Sequence, residues 1–196
     1  MKVNKTLKKG IKKELKKSNR IKIDLKWFFE ILILSFLISL IFSAMSEVVL
    51  DNVNFLIGLV IIIFFIILGI IFDMVGVAVA AADETPFHSM SSRKVKGAKL
   101  AVKLKKNADK VSTICNDVIG DICGIVSGSG GAVIAIGIAS KFDINIILIS
   151  LIITSIISGL TVGGKALVKS YAINNSNEIL YNFAKIINIF VKKNNV

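Results

Sequence analysis

Residues 55–72, FLIGLVIIIFFIILGIIF, contain no charged or polar side chain. An apolar run of this length has one natural home, because about 20 residues of helix cross the hydrocarbon core of a bilayer. Lipid offers the backbone no water, so the segment must pair its own amides and carbonyls as a helix. The rest of the chain agrees: it is 54% hydrophobic yet carries a formal net charge of +12, with a mean hydropathy of +0.76. A soluble domain is rarely so apolar. Charge and apolar surface are instead segregated along the sequence.

Four spans are expected, over residues 27–50, 55–82, 111–139 and 144–168. The fold class is therefore all-α, a polytopic membrane helical bundle. Residues 1–26 form a basic arm with eleven Lys/Arg against two acids, and the loop 83–110 carries eight Lys/Arg. The segment 169–196 is also net basic, whereas the turns DNVN (51–54) and SKFD (140–143) are short and nearly neutral. The positive-inside rule then places both termini and the 83–110 loop in the cytoplasm, with the protein multi-pass in the cell (plasma) membrane. Trp27, Phe28 and Phe29 stand where an interfacial aromatic belt would lie. A basic lead of 26 residues is far longer than a secretory n-region, so the first span is read as retained.

The peripheral segments are amphipathic. In the arm, Val3, Leu7, Ile11 and Leu15 recur every four residues among lysines. That stripe suits an anionic inner leaflet, and the lipid bilayer is the expected partner. Nucleic acid is not, since no aromatic or glycine pattern accompanies the charge. In the tail, Ile179, Leu180, Phe183, Ile186, Ile187, Phe190 and Val191 form a helical apolar face. With nothing soluble to pack on, it is expected to lie in the interface plane or as a belt against the spans. Asn175 and Glu178 have the spacing of a capping box.

Inside the membrane three acids matter: Asp73, Asp117 and Asp121. Each is costly in hydrocarbon and should face protein or a wet cavity. Asp117 and Asp121 fall about 40° apart on the helix, with Asn116 at the edge of their face. Oxygen ligands of this kind suit Mg²⁺, which is held by one or two carboxylates plus waters. The alternative is structural, with Asp117 half-solvated and paired to Lys110. Gly120, Gly124 and Gly128 make a small-residue seam in the third span, and Ser155, Gly159 and Gly163 make one in the fourth. These seams pack the two spans as a hairpin, or one of them serves a dimer. Cys115 and Cys123 lie about 12 Å apart along one helix, so they cannot pair. His88, the one histidine in the chain, reads as a hydrogen-bonded structural residue. No nucleophile triad or phosphate loop is present, so an enzyme is not expected.

Three stretches together resemble the transmembrane domain of the CNNM/CorB/CorC magnesium-transporter family. ETPFHSMSSRKV, from Glu84, is similar to the family's E-T-A-L-x-S-L-S signature. NADKVST (107–113) is similar to N-P-D-R-L-L-S-T, and GKALVKSYAINN, from Gly164, to G-E-L-V-P-K-S-L-A-L-R-N. The order and spacing fit over about residues 55–190. The resemblance implies a homodimer that binds or moves Mg²⁺, with a belt helix after the last span and residues 1–50 as an added N-terminal span. It implies ligands near the span ends: Glu84 at the inner mouth, and Asn116 and Asp117 near the family's G-N-N motif. With the intramembrane acids, the expected metal set is Asp73, Glu84, Asn116, Asp117 and Asp121. Two departures stand out. Lys165 and Val168 replace the glutamate and proline of G-E-x-x-P-K, and the 196 residues hold no CBS pair. A lysine beside a cation site repels the metal, and it could neutralise Asp117 or Asp121 instead. That leaves a second expectation, a non-transporting membrane scaffold or regulator that keeps the fold without the ion site.

Overall fold

The structure is a computed structural model describing residues 25–51 and 55–193, with side-chain surroundings for 25–44 and 55–190. The stripe expected at Val3, Leu7, Ile11 and Leu15 lies outside the described residues, as does the side chain of Val191. The elements are helices: α1 (Leu25–Asp51), α2 (Phe55–Ala81), α3 (Thr85–Ser92), α4 (Ala98–Lys106), α5 (Ala108–Thr113), a π-helical segment (Ile114–Ile119), α6 (Gly120–Phe142), α7 (Ile146–Asn174) and α8 (Ser176–Lys193). Among the described residues, four stretches are long and apolar enough to cross a membrane: Leu25–Ala44, Phe55–Ala81, Ala108–Phe142 and Ile146–Asn174. The protein is an all-α membrane bundle.

The chain divides into two compact units, Met1–Leu37 and Ile38–Val196. In the first, the described residues form the opening of α1. Lys26 and Glu30 stand 3.9 Å apart across one turn with both side chains exposed, an arrangement that adds little stability. Phe28 and Phe29 meet edge to face.

In the second unit, α2, α6 and α7 pack on one another, and the π-helical segment packs on α2. Buried residues of α2 recur at three-, four- and seven-residue steps: Gly58, Ile62, Ile66, Gly69, Gly76 and Val79. That spacing lays one face of the helix against its neighbours. Its other face, including Leu56, Val60, Phe64 and Ile71, stays exposed, as a lipid-facing surface must.

The tightest approaches between spans occur at glycines that lie outside the four-residue seams. A Cβ on Gly131 would run into Ile157 Cδ1, one on Gly164 into Ile70 Cδ1, and one on Gly69 would lie 3.0 Å from Cys123 Cβ. Gly124, Gly128, Gly159 and Gly163 have nothing within 4 Å of a would-be Cβ. The hairpin of α6 and α7 therefore closes through Gly131, against Ile153 and Ile157, while Gly120 lies beside Lys165 of α7 and the other seam glycines stay uncrowded. The reason is rotation: three residues beyond Gly128, Gly131 occupies a neighbouring position on the wheel, and that position meets α7. The turn between these helices is built by two residues. Asp143 adopts φ 53° at the end of α6, and Asn145 Oδ1 accepts the Ile147 N–H at 2.9 Å to cap α7.

One end of the bundle carries a helical cap. Pro86 opens α3 in the first turn, where a missing N–H costs nothing. Phe87 of α3, Ala101 of α4, and Leu180 and Ala184 of α8 bury themselves with Val75, Val79, Ala82 and Cys115 in one cluster. Lys105 Nζ donates to the carbonyls of Val79 (3.3 Å) and Ala80 (2.9 Å), satisfying orphan acceptors at the end of α2. Tyr181 Oη donates to the Lys96 carbonyl at 3.3 Å.

The tail helix thus takes the second of its two expected placements, against a span, with α4 as a further partner. It packs on α2 and α4, with Leu180 and Ala184 fully buried and Ile186, Ile189 and Phe190 exposed. Asn175 does not behave as a capping-box residue either: its Nδ2 donates backward to the Tyr171 carbonyl at the end of α7. Where α4 meets α8, Gly97 has φ +86°, and a Cβ on it would lie 3.2 Å from Lys185 Cα. Gly97→Ala is expected to lower stability by about 1–3 kcal/mol through backbone strain, measured as a shift in SDS- or heat-induced unfolding of the detergent-solubilised protein.

Candidate functional site

Charge inside the bundle gathers where α2, α6 and α7 meet. Asp73 projects from α2, and Lys165 reaches it from α7, with Nζ 3.8 Å from Oδ1. The two side chains retain only 18% and 26% exposure. Gly120 of α6 lies beside the ammonium: a Cβ there would stand 3.5 Å from Lys165 Nζ, in ordinary contact. Close packing of Gly164 on Ile70 sets the backbone of α7 against α2 one turn before Asp73.

One turn beyond Asp73 on α2, the carboxamide of Asn116 sits on Gly76, in space that a Cβ would fill. Its Nδ2 reaches Ser112 Oγ at a long 3.4 Å. Its Oδ1 is buried and, among the described residues, has no hydrogen-bond partner. A buried acceptor left unsatisfied is costly, of order 1–3 kcal/mol. Asn116 lies in the π-helical segment Ile114–Ile119, whose i→i+5 bond runs from the Gly120 N–H to the Cys115 carbonyl. Such widened turns inside α-helices often mark functional positions.

The other expected ligands lie elsewhere. Asp117 and Asp121 are both exposed. Successive helical residues point about 100° apart, so with Asn116 turned to Gly76 and Gly120 turned to Lys165, Asp117 and Asp121 turn outward. The pairing expected between Lys165 and one of these two acids gives way, for that reason, to a pairing with Asp73. Glu84 belongs to the cap: its Oε1 meets His88 Nε2 at 2.8 Å and Lys106 Nζ at 4.0 Å. It follows the end of α2, and the eight steps from Asp73 to Ala81 alone rise about 12 Å. Among the described residues, no three His, Cys, Asp or Glu side chains group closely enough to hold a metal ion. Asp73 and Asn116 are brought to one junction; Glu84, Asp117 and Asp121 are not.

Several residues at this junction escaped the reading of the sequence. Gly76 and Gly69 matter because neighbouring side chains occupy the space beside them, and their seven-residue separation is the signal that would have placed them on one face. The π turn left no sequence signal. Cys115 and Cys123 are free and buried, and Ser127, fully buried, donates from Oγ to the Cys123 carbonyl at 2.7 Å. These groups satisfy local structure. Comparison with protein-family models, with curated proteins and with solved structures returns no match to this chain.

Proposed function

We propose that the protein binds or moves a divalent cation, Mg²⁺ in the first instance, across the membrane it spans, using Asp73 and Asn116 as its oxygen ligands. The observation that carries this reading is the Asn116 Oδ1, buried without a donor on the same face of the α2 contact as the Asp73 carboxylate. An unsatisfied oxygen one helical turn along α2 from a carboxylate suits a cation, and Mg²⁺ needs only one or two carboxylates with waters completing its shell. The test is Mg²⁺ uptake by liposomes carrying the purified full chain. Asn116→Ala is expected to cut the flux at least tenfold. Flux absent from the parent, or unchanged in Asn116→Ala, would sink the reading.

The Lys165–Asp73 pair favours a second reading, a membrane scaffold or regulator in which the ammonium holds the spans together. It expects parent proteoliposomes to take up Mg²⁺ no faster than protein-free liposomes.

A further inference from the structure

The Asp73 carboxylate already has a cation beside it, covalently tethered to α7. We propose that Lys165 is an exchangeable occupant of the Asp73 site, a built-in competitor that a divalent cation must displace to bind; this rests on the cation-binding reading above. The geometry fits a displaceable occupant better than a permanent strut. At 3.8 Å the Lys165–Asp73 contact exceeds hydrogen-bond length, so charge alone holds it. The lysine stem is long and flexible, and its side chain keeps 26% exposure, which leaves it somewhere to go. Gly120 beside the ammonium offers it no side chain to bind.

The ammonium and a divalent ion cannot share this place. Both would lie within a few ångströms of one carboxylate, and their mutual repulsion in a low-dielectric junction is strong. Binding is therefore an exchange, and the lysine sets the apparent affinity. It also keeps Asp73 neutralised in the absence of metal, which lets a single acid persist at membrane depth. Asn116 Oδ1, by contrast, gains its donor or cation only when the exchange happens.

The experiment is calorimetric titration of Mg²⁺ into the purified full chain, comparing parent, Lys165→Met and Lys165→Arg. Removing the competitor is expected to tighten binding at least tenfold in Lys165→Met. Arginine, whose planar fork grips a carboxylate with two hydrogen bonds, is expected to weaken it several-fold. A folding defect cannot produce the tightening, so the opposite directions keep the test sound. The gain in Lys165→Met should vanish when Asp73→Asn is added. Binding in the parent that Lys165→Met leaves equal or weaker overturns the exchange and leaves the cation site standing. Binding in neither parent nor Lys165→Met overturns the cation-binding reading beneath it.

Discussion

Asp73→Asn is expected to destabilise the protein by about 3 kcal/mol, because it leaves the Lys165 ammonium at membrane depth without its counter-charge. Removing one partner of a buried ion pair typically costs 3–5 kcal/mol. The lower end applies here, since the two side chains keep 18% and 26% exposure and water can screen part of the loss. Adding Lys165→Gln should recover a large part of the deficit, since the double variant buries two amides and no charge. The measurement is a double-mutant cycle of SDS-induced unfolding in mixed micelles. A coupling energy near zero would mean that the pair is incidental to the fold. Strong coupling would show that the lysine is a structural cation even when no metal is present.

Phe87→Ala should cost more, about 3–5 kcal/mol, the range for deleting a buried aromatic side chain. Phe87 is 1% exposed and lies in the cluster with Val75, Val79, Ala82, Ala101, Leu180 and Ala184. Little can collapse into the space it leaves. Helix α3 is eight residues long, too short to hold itself without tertiary packing, while Val79 belongs to a membrane span whose position other contacts set. Phe87→Leu should recover more than half of the loss. An alanine variant that unfolds like the parent would show that the cap contributes nothing to the bundle's stability.

The spans were legible in the sequence because lipid imposes a simple rule on them. A charge-free run such as residues 55–72 leaves a chain one option, and the structure has it as a helix from Phe55 to Ala81. The partner of Lys165 was not legible. It depends on the rotation of α6 about its axis, and that rotation is set by which residues face α2 through the π turn at Ile114–Ile119. A wheel drawn from spacing alone showed Asp117 and Asp121 on one face without showing which way that face pointed. Four-residue glycine spacing did not single out the glycines that close the hairpin, for the same reason. Gly124 and Gly128 are regular but open, while Gly69, Gly76, Gly131 and Gly164 are irregular and crowded. Periodicity of α8 revealed an apolar face but could not name its neighbour, because α4 lies more than seventy residues upstream.

The cluster around Phe87 joins two kinds of residue that are usually treated apart. Val75, Val79 and Cys115 come from membrane-spanning stretches, while Phe87, Ala101, Leu180 and Ala184 come from short helices outside them. Lys105 adds two hydrogen bonds across the same boundary. Local opening of a protein follows its cooperative units, and here one packed cluster joins the spans to the helices outside them. The cap cannot be peeled from the spans as an independent module. Anything that grips α8 from outside therefore pulls on the floor of the bundle through Leu180 and Ala184.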